Sequence, residues 1–160
     1  MTHAEEIAKV AELVGKARVA SLTTVDGSGA LVSRPLAMQD AEFDGQLWFF
    51  TQDPSPKVAD IQGNASVNVS FEARGGWVSI AGTASISHDP AKIDELWNGY
   101  AEAWFEKGRQ DPTIGLICVD ANTVEYWATD EPKALTLLKV AKALVTRTTP
   151  EEPGSHTVGL

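Results

Sequence analysis

The stretch "ASVNVSFEARGGWVSIAGTASIS", residues 65–87, constrains this chain more than any other. Val67, Val69 and Phe71 alternate with Ser66, Asn68 and Ser70. That is the period of a strand with one face buried and one face wet. The turn at Arg74-Gly75-Gly76 reverses the chain into a second, longer β-rich run. Gly82 lies inside that run and reads as a bulge or a close backbone approach. An isolated hairpin is not stable in water, so the rest of the chain must supply further strands and something to cover the apolar face.

Further strands are easily found. "RVASLTTVDGSGALVSRPLAM" holds two β-rich runs around Asp26-Gly27-Ser28-Gly29, a strong hairpin signal. "AEFDGQLWFFT" repeats the pattern with Asp44-Gly45 before a strand ending at Thr51, and "TIGLICVDANTVEYWAT" reads as another strand. Helical segments separate them. Ile7, Val10, Leu13 and Val14 fall at helical spacing and predict a helix from about Ala4 to Gly15. "SPKVADIQGN" predicts a short helix with Ser55 as N-cap, Pro56 as its first residue and Gly63 or Asn64 as its stop. Residues 90–105 are helical and rich in aromatics, and "KALTLLKVAKALV" is expected to be a last helix. Roughly six strands joined by hairpins, with short helices between, argue a mainly β, mostly antiparallel barrel capped by helices. A single domain over residues 1–145 is expected, followed by a polar tail over residues 146–160 that is expected to be disordered.

Charge and cysteine content exclude several functions. The 13 basic and 22 acidic residues give a formal net charge of -9, which disfavours a nucleic-acid role. No apolar run approaches the roughly 20 residues needed to span a bilayer, and the N-terminus does not read as a secretory signal. The lone cysteine, Cys118, lies in the apolar setting "IGLICVD" and is expected to be an inert core thiol in a reducing compartment. His3, His88 and His156 are scattered, with no spacing that suggests a metal. A cytoplasmic protein with no membrane partner is the expectation.

The unusual chemistry lies at the end of the third strand. Thr51 closes it, a Pro-broken turn follows, and Ser55 and Lys57 open the next helix. Lysine is normally favoured at the other end of a helix, where the macrodipole attracts a cation. Each residue has an ordinary explanation: Ser55 as a cap, Lys57 as a solvated side chain, Thr51 as a β-branched strand residue. Together they place a hydroxyl, an electropositive helix N-terminus and an ammonium in one place, which suits a phosphate monoester. Arg34 in "LVSRPLAM" shares a strand face with Val32, Leu36 and Met38 by period two. It needs an anion, an exit to solvent, or a local acid such as Asp40. Pro35 beside it implies an edge or bulged strand. The apolar "LWFF" leading into this region suits a flat phosphorylated cofactor.

The order "SRPL", "DGQLWFFT", "SPKVADI", "VSIAGTASISHD", "LW…WFEKGRQDP" and "EYW" resembles the pyridoxamine 5'-phosphate oxidase-like family, and within it the general stress protein 26 group. The resemblance runs from about Val19 to Trp127. It implies a six-stranded antiparallel split barrel, a homodimer, and FMN bound at the dimer interface. Arg34, Ser55 and Lys57 match positions that hold the FMN phosphate, and Phe50 and Thr51 match the strand end that lines the flavin. Trp104 and Phe105 match an aromatic pair near the flavin of the partner subunit, whereas Trp97 and Tyr100 read better as core. Trp77 and Trp127 read as barrel lids or interface anchors. Related barrels accept FAD or a deazaflavin. The implied activity is an oxidoreductase in which the flavin carries the electrons, and a flavin-sequestering protein without turnover is the main rival. A third reading is an unrelated small barrel with an anionic ligand. Vitamin B6 oxidases of the family end in a strand with Arg-x-x-Pro. Here Arg147-Thr-Thr-Pro150 falls in the polar tail after a helix, so oxidation of pyridoxamine phosphate is not implied.

Overall fold

The computed structural model describes residues 2–128 and 155–160. The chain begins with α1 (His3–Lys16), whose Thr2 and Glu5 form a reciprocal capping box. The strands are β1 (Val19–Val25), β2 (Leu31–Ala37), β3 (Gln46–Gln52), β4 (Ser66–Ala73), β5 (Gly76–Ser87), β6 (Ile114–Ala128) and β7 (Ser155–Gly159). Between them lie α2 (Pro56–Gly63), α3 (Pro90–Leu96), α4 (Gly99–Trp104) and a 3-10 turn at Gly108–Gln110.

All pairings are antiparallel, in the order β2-β1-β4-β5-β6-β3, with β7 added to β6. The two end strands, β2 and β3, approach each other but share no ladder. The sheet curls into a barrel that stays split between them. This is the mainly β split barrel expected, with one strand more.

That extra strand corrects the reading of the tail. Residues 155–159 pair with Thr123–Trp127 instead of remaining disordered. β6 is 15 residues long, and β3 occupies its edge only from Ile114 to Asp120. The rest of that edge would present unpaired backbone groups, and β7 takes them up while burying Val158. The expected helix over residues 133–145, the domain limit at 145 and Arg147–Pro150 lie outside the described residues.

Alternation fills the barrel. Ala20 and Leu22 of β1, Leu47 and Phe49 of β3, Val67, Val69 and Phe71 of β4, and Val78 and Ile80 of β5 form one buried cluster. Val10, Leu13 and Val14 of α1 join it. Strand β3 is apolar on both faces: Trp48 and Phe50 join a second cluster with Ile93, Leu96 and Phe105 from the α3–α4 region. This explains the unbroken "LWFF", since a strand covered on both sides has no wet face. It also draws α4 to the end of β3. Cys118 is buried, and burial first, then Asp120 and Asp44, push its thiol up to about 11, as suits an inert core cysteine. No described helix is long and apolar enough to cross a membrane.

Gly82 has both expected roles. The β5–β6 register shifts between Ala81 and Gly82, and a Cβ there would lie 2.5 Å from the backbone oxygen of Asp120. A backbone carbonyl cannot swing aside as a flexible side chain can. Gly82→Ala is therefore expected to lose about 1–3 kcal/mol, seen as a lower urea midpoint with an unchanged slope. An unchanged midpoint would mean that the bulge absorbs a methyl group.

Candidate functional site

The split holds a cavity of about 220 Å³. β2 contributes the Arg34–Ala37 wall, β3 contributes Phe50, Thr51 and Gln52, and α2 contributes Lys57. Tyr100, Trp104 and Phe105 close it from the α4 side. These segments are remote in sequence. They meet because β2 and β3 are the two ends of one curled sheet.

The turn after β3 contains a cis Asp53–Pro54 peptide bond and delivers the chain into α2. Ser55 takes the extended backbone of an N-cap, but its side chain makes no capping hydrogen bond. Its Oγ instead lies 3.4 Å from Thr51 Oγ1, which also bonds the Gln52 carbonyl oxygen at 3.0 Å. The expected cap therefore has the right backbone, but its hydroxyl turns to Thr51 rather than to the helix. With no acidic residue in its first turn, α2 keeps its N-terminal electropositive field.

Arg34 lies on the inward face of β2, opposite Leu22 in the β1 ladder. The apolar face expected around it is only partly covered, since Val32 is 36% exposed and Leu36 half-buried. The reason is that β2 is an end strand, as Pro35 implied, with a neighbour on one side alone. Arg34 does find an acid, though not Asp40. Its Nη1 donates to Thr24 Oγ1 at 2.6 Å and its Nη2 to Asp60 Oδ2 at 3.4 Å. Lys57 is half-buried and makes no hydrogen bond or ion pair with the described residues. Burial, and then the charge of Arg34, hold its pKa below that of an ordinary lysine. Two cations that line one cavity thus repel each other, and the Asp60 carboxylate is bonded to Arg34. An anion with several oxygens would relieve both.

The aromatic residues divide differently from the sequence reading. Phe105 is 3% exposed and packs against Phe50 and Trp97, with ring centroids 6.3 and 6.0 Å away. Trp97, expected in the core, is partly buried and packs against the second cluster, with its indole N–H donating to Glu102 at 2.8 Å. Tyr100 is not core. It is 53% exposed, lines the cavity, and stands 6.1 Å from the exposed Trp104 ring. The four-residue step from Tyr100 to Trp104 carried this signal, because such a pair shares one helix face. Trp77 pairs across the ladder with Trp127 and is exposed on the outside of the barrel, away from the cavity.

Six of the seven residues singled out from the sequence, namely Arg34, Phe50, Thr51, Lys57, Trp104 and Phe105, line this one cavity. Ser55 is not among the lining residues; its Oγ lies 3.4 Å from Thr51 Oγ1. A family model described as pyridoxamine 5'-phosphate oxidase like matches residues 5–151. The chain belongs to that family.

Within the pyridoxamine 5'-phosphate oxidase-like proteins, several solved structures share this architecture. A putative general stress protein 26 from Jannaschia sp. CCS1 is 26% identical with a TM-score of 0.73, covering 99% of this chain and 100% of that one. The general stress FMN/FAD binding protein of Xanthomonas citri is 28% identical with a TM-score of 0.68, covering 78% of this chain and 89% of that one. Protein bli-3 of Neurospora crassa is 31% identical over 137 residues, which are 78% of this chain. The chain spans 66% of the length of that curated relative.

Thr24 and Asp60 were not singled out from the sequence. Their link to Arg34 crosses from β1 and α2 to β2, and no local pattern marks it.

Proposed function

We propose that the chain is a cytoplasmic flavin-binding protein of the general stress type, holding FMN in the cleft between β2 and β3. The observation that carries this reading is that Arg34 and Lys57, the latter in the first turn of α2, line one cavity with Phe50, Tyr100, Trp104 and Phe105. The two cations, the α2 backbone and Ser55 would take the phosphate. Phe50 and Thr51 would line the ring system, and Trp104 would flank it. The printed description of the Xanthomonas citri relative as an FMN/FAD binding protein supports a flavin and leaves room for FAD. A deazaflavin would use the same phosphate contacts.

Dimerisation is part of this reading. A cavity of about 220 Å³ is smaller than the roughly 300–1,000 Å³ of pockets that enclose cofactor-sized ligands. Trp104 and Tyr100 at its rim, and Val19, Leu31 and Trp77 on the barrel, remain exposed in the single chain. A two-fold partner would cover such surface and complete the pocket.

When bound, the flavin supplies the electron transfer of an oxidoreductase. The chain's own residues bind and shield it. The titratable side chains lining the cavity are Arg34, Lys57 and Tyr100, and none is paired for proton transfer. The same observation favours a second reading, a flavin carrier without turnover.

Absorbance and mass of the ligand that copurifies, combined with sedimentation, test the proposal. Flavin absorbance, the mass of FMN and a dimer are expected. A stable monomer at micromolar concentration with flavin still bound would remove the interface model, and a colourless anionic ligand would remove the flavin. Reoxidation after reduction by NADH or NADPH separates enzyme from carrier.

A further inference from the structure

Thr24 is fully buried, a rare place for a hydroxyl. It lies between an arginine and a carboxylate, so its orientation is forced. Arginine has no acceptor, and an ionised carboxylate no donor. Thr24 Oγ1 must therefore accept from Arg34 Nη1 at 2.6 Å and spend its single proton on Asp60 Oδ2 at 2.8 Å. The same Asp60 oxygen takes Arg34 Nη2 at 3.4 Å. Hydroxyl and carboxylate thus grip one edge of the guanidinium of Arg34, a cavity-lining residue, and its remaining N–H groups have no hydrogen-bond partner among the described residues. Asp60 sits on α2, one turn after Lys57, so the helix that carries the second cation also holds the first.

We infer that Thr24 and Asp60 are positioning residues for the anion anchor, fixing the Arg34 guanidinium so that its uncommitted N–H groups meet a phosphate monoester beside Lys57. This rests on the reading of the cleft as a phosphate site. The alternative role for Asp60 predicts the opposite sign. A carboxylate that merely neutralises Arg34 competes with the ligand, and its removal would tighten phosphate binding. A carboxylate that aims Arg34 weakens binding when lost, because the freed side chain must be ordered again by the ligand.

The test titrates FMN and riboflavin into the full chain as wild type, Thr24→Val, Thr24→Ser, Asp60→Asn and Arg34→Ala. Thr24→Val and Asp60→Asn are expected to weaken FMN about tenfold. Riboflavin, without a phosphate, should stay within about twofold, and Thr24→Ser, which keeps the hydroxyl, should restore FMN affinity. A packing defect would weaken both flavins alike and would not respond to serine; that result overturns the inference. So does unchanged or tighter FMN binding in Asp60→Asn alongside a loss in Arg34→Ala, which leaves the phosphate site standing. Unchanged FMN binding in Arg34→Ala removes the phosphate site itself, and this inference with it. Should buried Thr24→Val not fold, Asp60→Asn, on a partly exposed helix position, decides alone.

Discussion

The double variant Arg34→Ala, Lys57→Ala is expected to lose most of its FMN and to keep its riboflavin. Charge-assisted hydrogen bonds contribute roughly 1.5–3 kcal/mol each, so losing one weakens binding by about ten- to a hundredfold. Both cations line the same cavity, and burial first, then the charge of Arg34, lowers the lysine's pKa. Their effects are therefore coupled, and the double loss should fall short of the product of the single ones. Riboflavin is the control, because unfolding damages both ligands alike while a lost phosphate contact affects one. The depressed lysine adds a pH signature. Lys57 sheds its proton at a lower pH than an ordinary lysine, so FMN affinity should decline as pH rises through that value while riboflavin affinity does not. Isothermal titration of both flavins on folded protein measures this. A folded variant that binds FMN as tightly as wild type would leave Lys57 an ordinary half-buried lysine and Arg34 a structural partner of Asp60.

The second large effect separates two adjacent aromatics. Phe105→Ala is expected to lose about 3–5 kcal/mol of stability. Its ring is 3% exposed and seals the cluster of Phe50, Trp97 and Leu96 beneath the cavity. Removing it opens a void under the cavity-lining end of β3, and neighbouring rings can collapse into it only in part. Trp104→Ala should do nearly the reverse. Trp104 is 63% exposed, so its truncation should change chain stability by about 0.5 kcal/mol or less. It should instead change the emission of bound flavin, since Trp104 stands at the cavity rim beside Tyr100. Denaturation midpoints and flavin fluorescence measured on both variants give the answer. Equal destabilisation by the two changes would show that Trp104 is packed where a rim residue should not be.

Much of the site was legible before the fold. The "SPK" start of α2 announced a helix N-terminus carrying a lysine, and the structure leaves that lysine unpaired among the described residues and Ser55 Oγ uncommitted to the cap. Pro35 announced an end strand. Gly82 announced a bulge, and the carbonyl of Asp120 occupies the space a side chain would need. Each of these is a steric or hydrogen-bonding demand made by a residue on its own backbone or its nearest neighbours. Tyr100 was misread because the three-residue step from Trp97 looked like one helix face, whereas α3 ends at Leu96 and α4 starts at Gly99, so Trp97 lies on neither helix and Tyr100 on α4 alone. The second cluster takes Trp97 inward and turns Tyr100 and Trp104 outward.

By itself, the sequence determined six of the seven described strands and the start of α2, and it singled out two cations, Arg34 and Lys57, because alternation, capping and proline geometry act over a few residues. The tertiary structure alone decided what those cations face. Thr24 and Asp60 lie 36 residues apart, and Arg34 and Asp60 lie 26 apart. Only the β1–β2 ladder and the docking of α2 bring them into contact. The same holds for β7, whose short polar run becomes a strand because β3 stops halfway along β6 and leaves backbone groups to be satisfied. Strand pairing and an unfilled sheet edge are properties of the assembled chain, and no window of residues contains them.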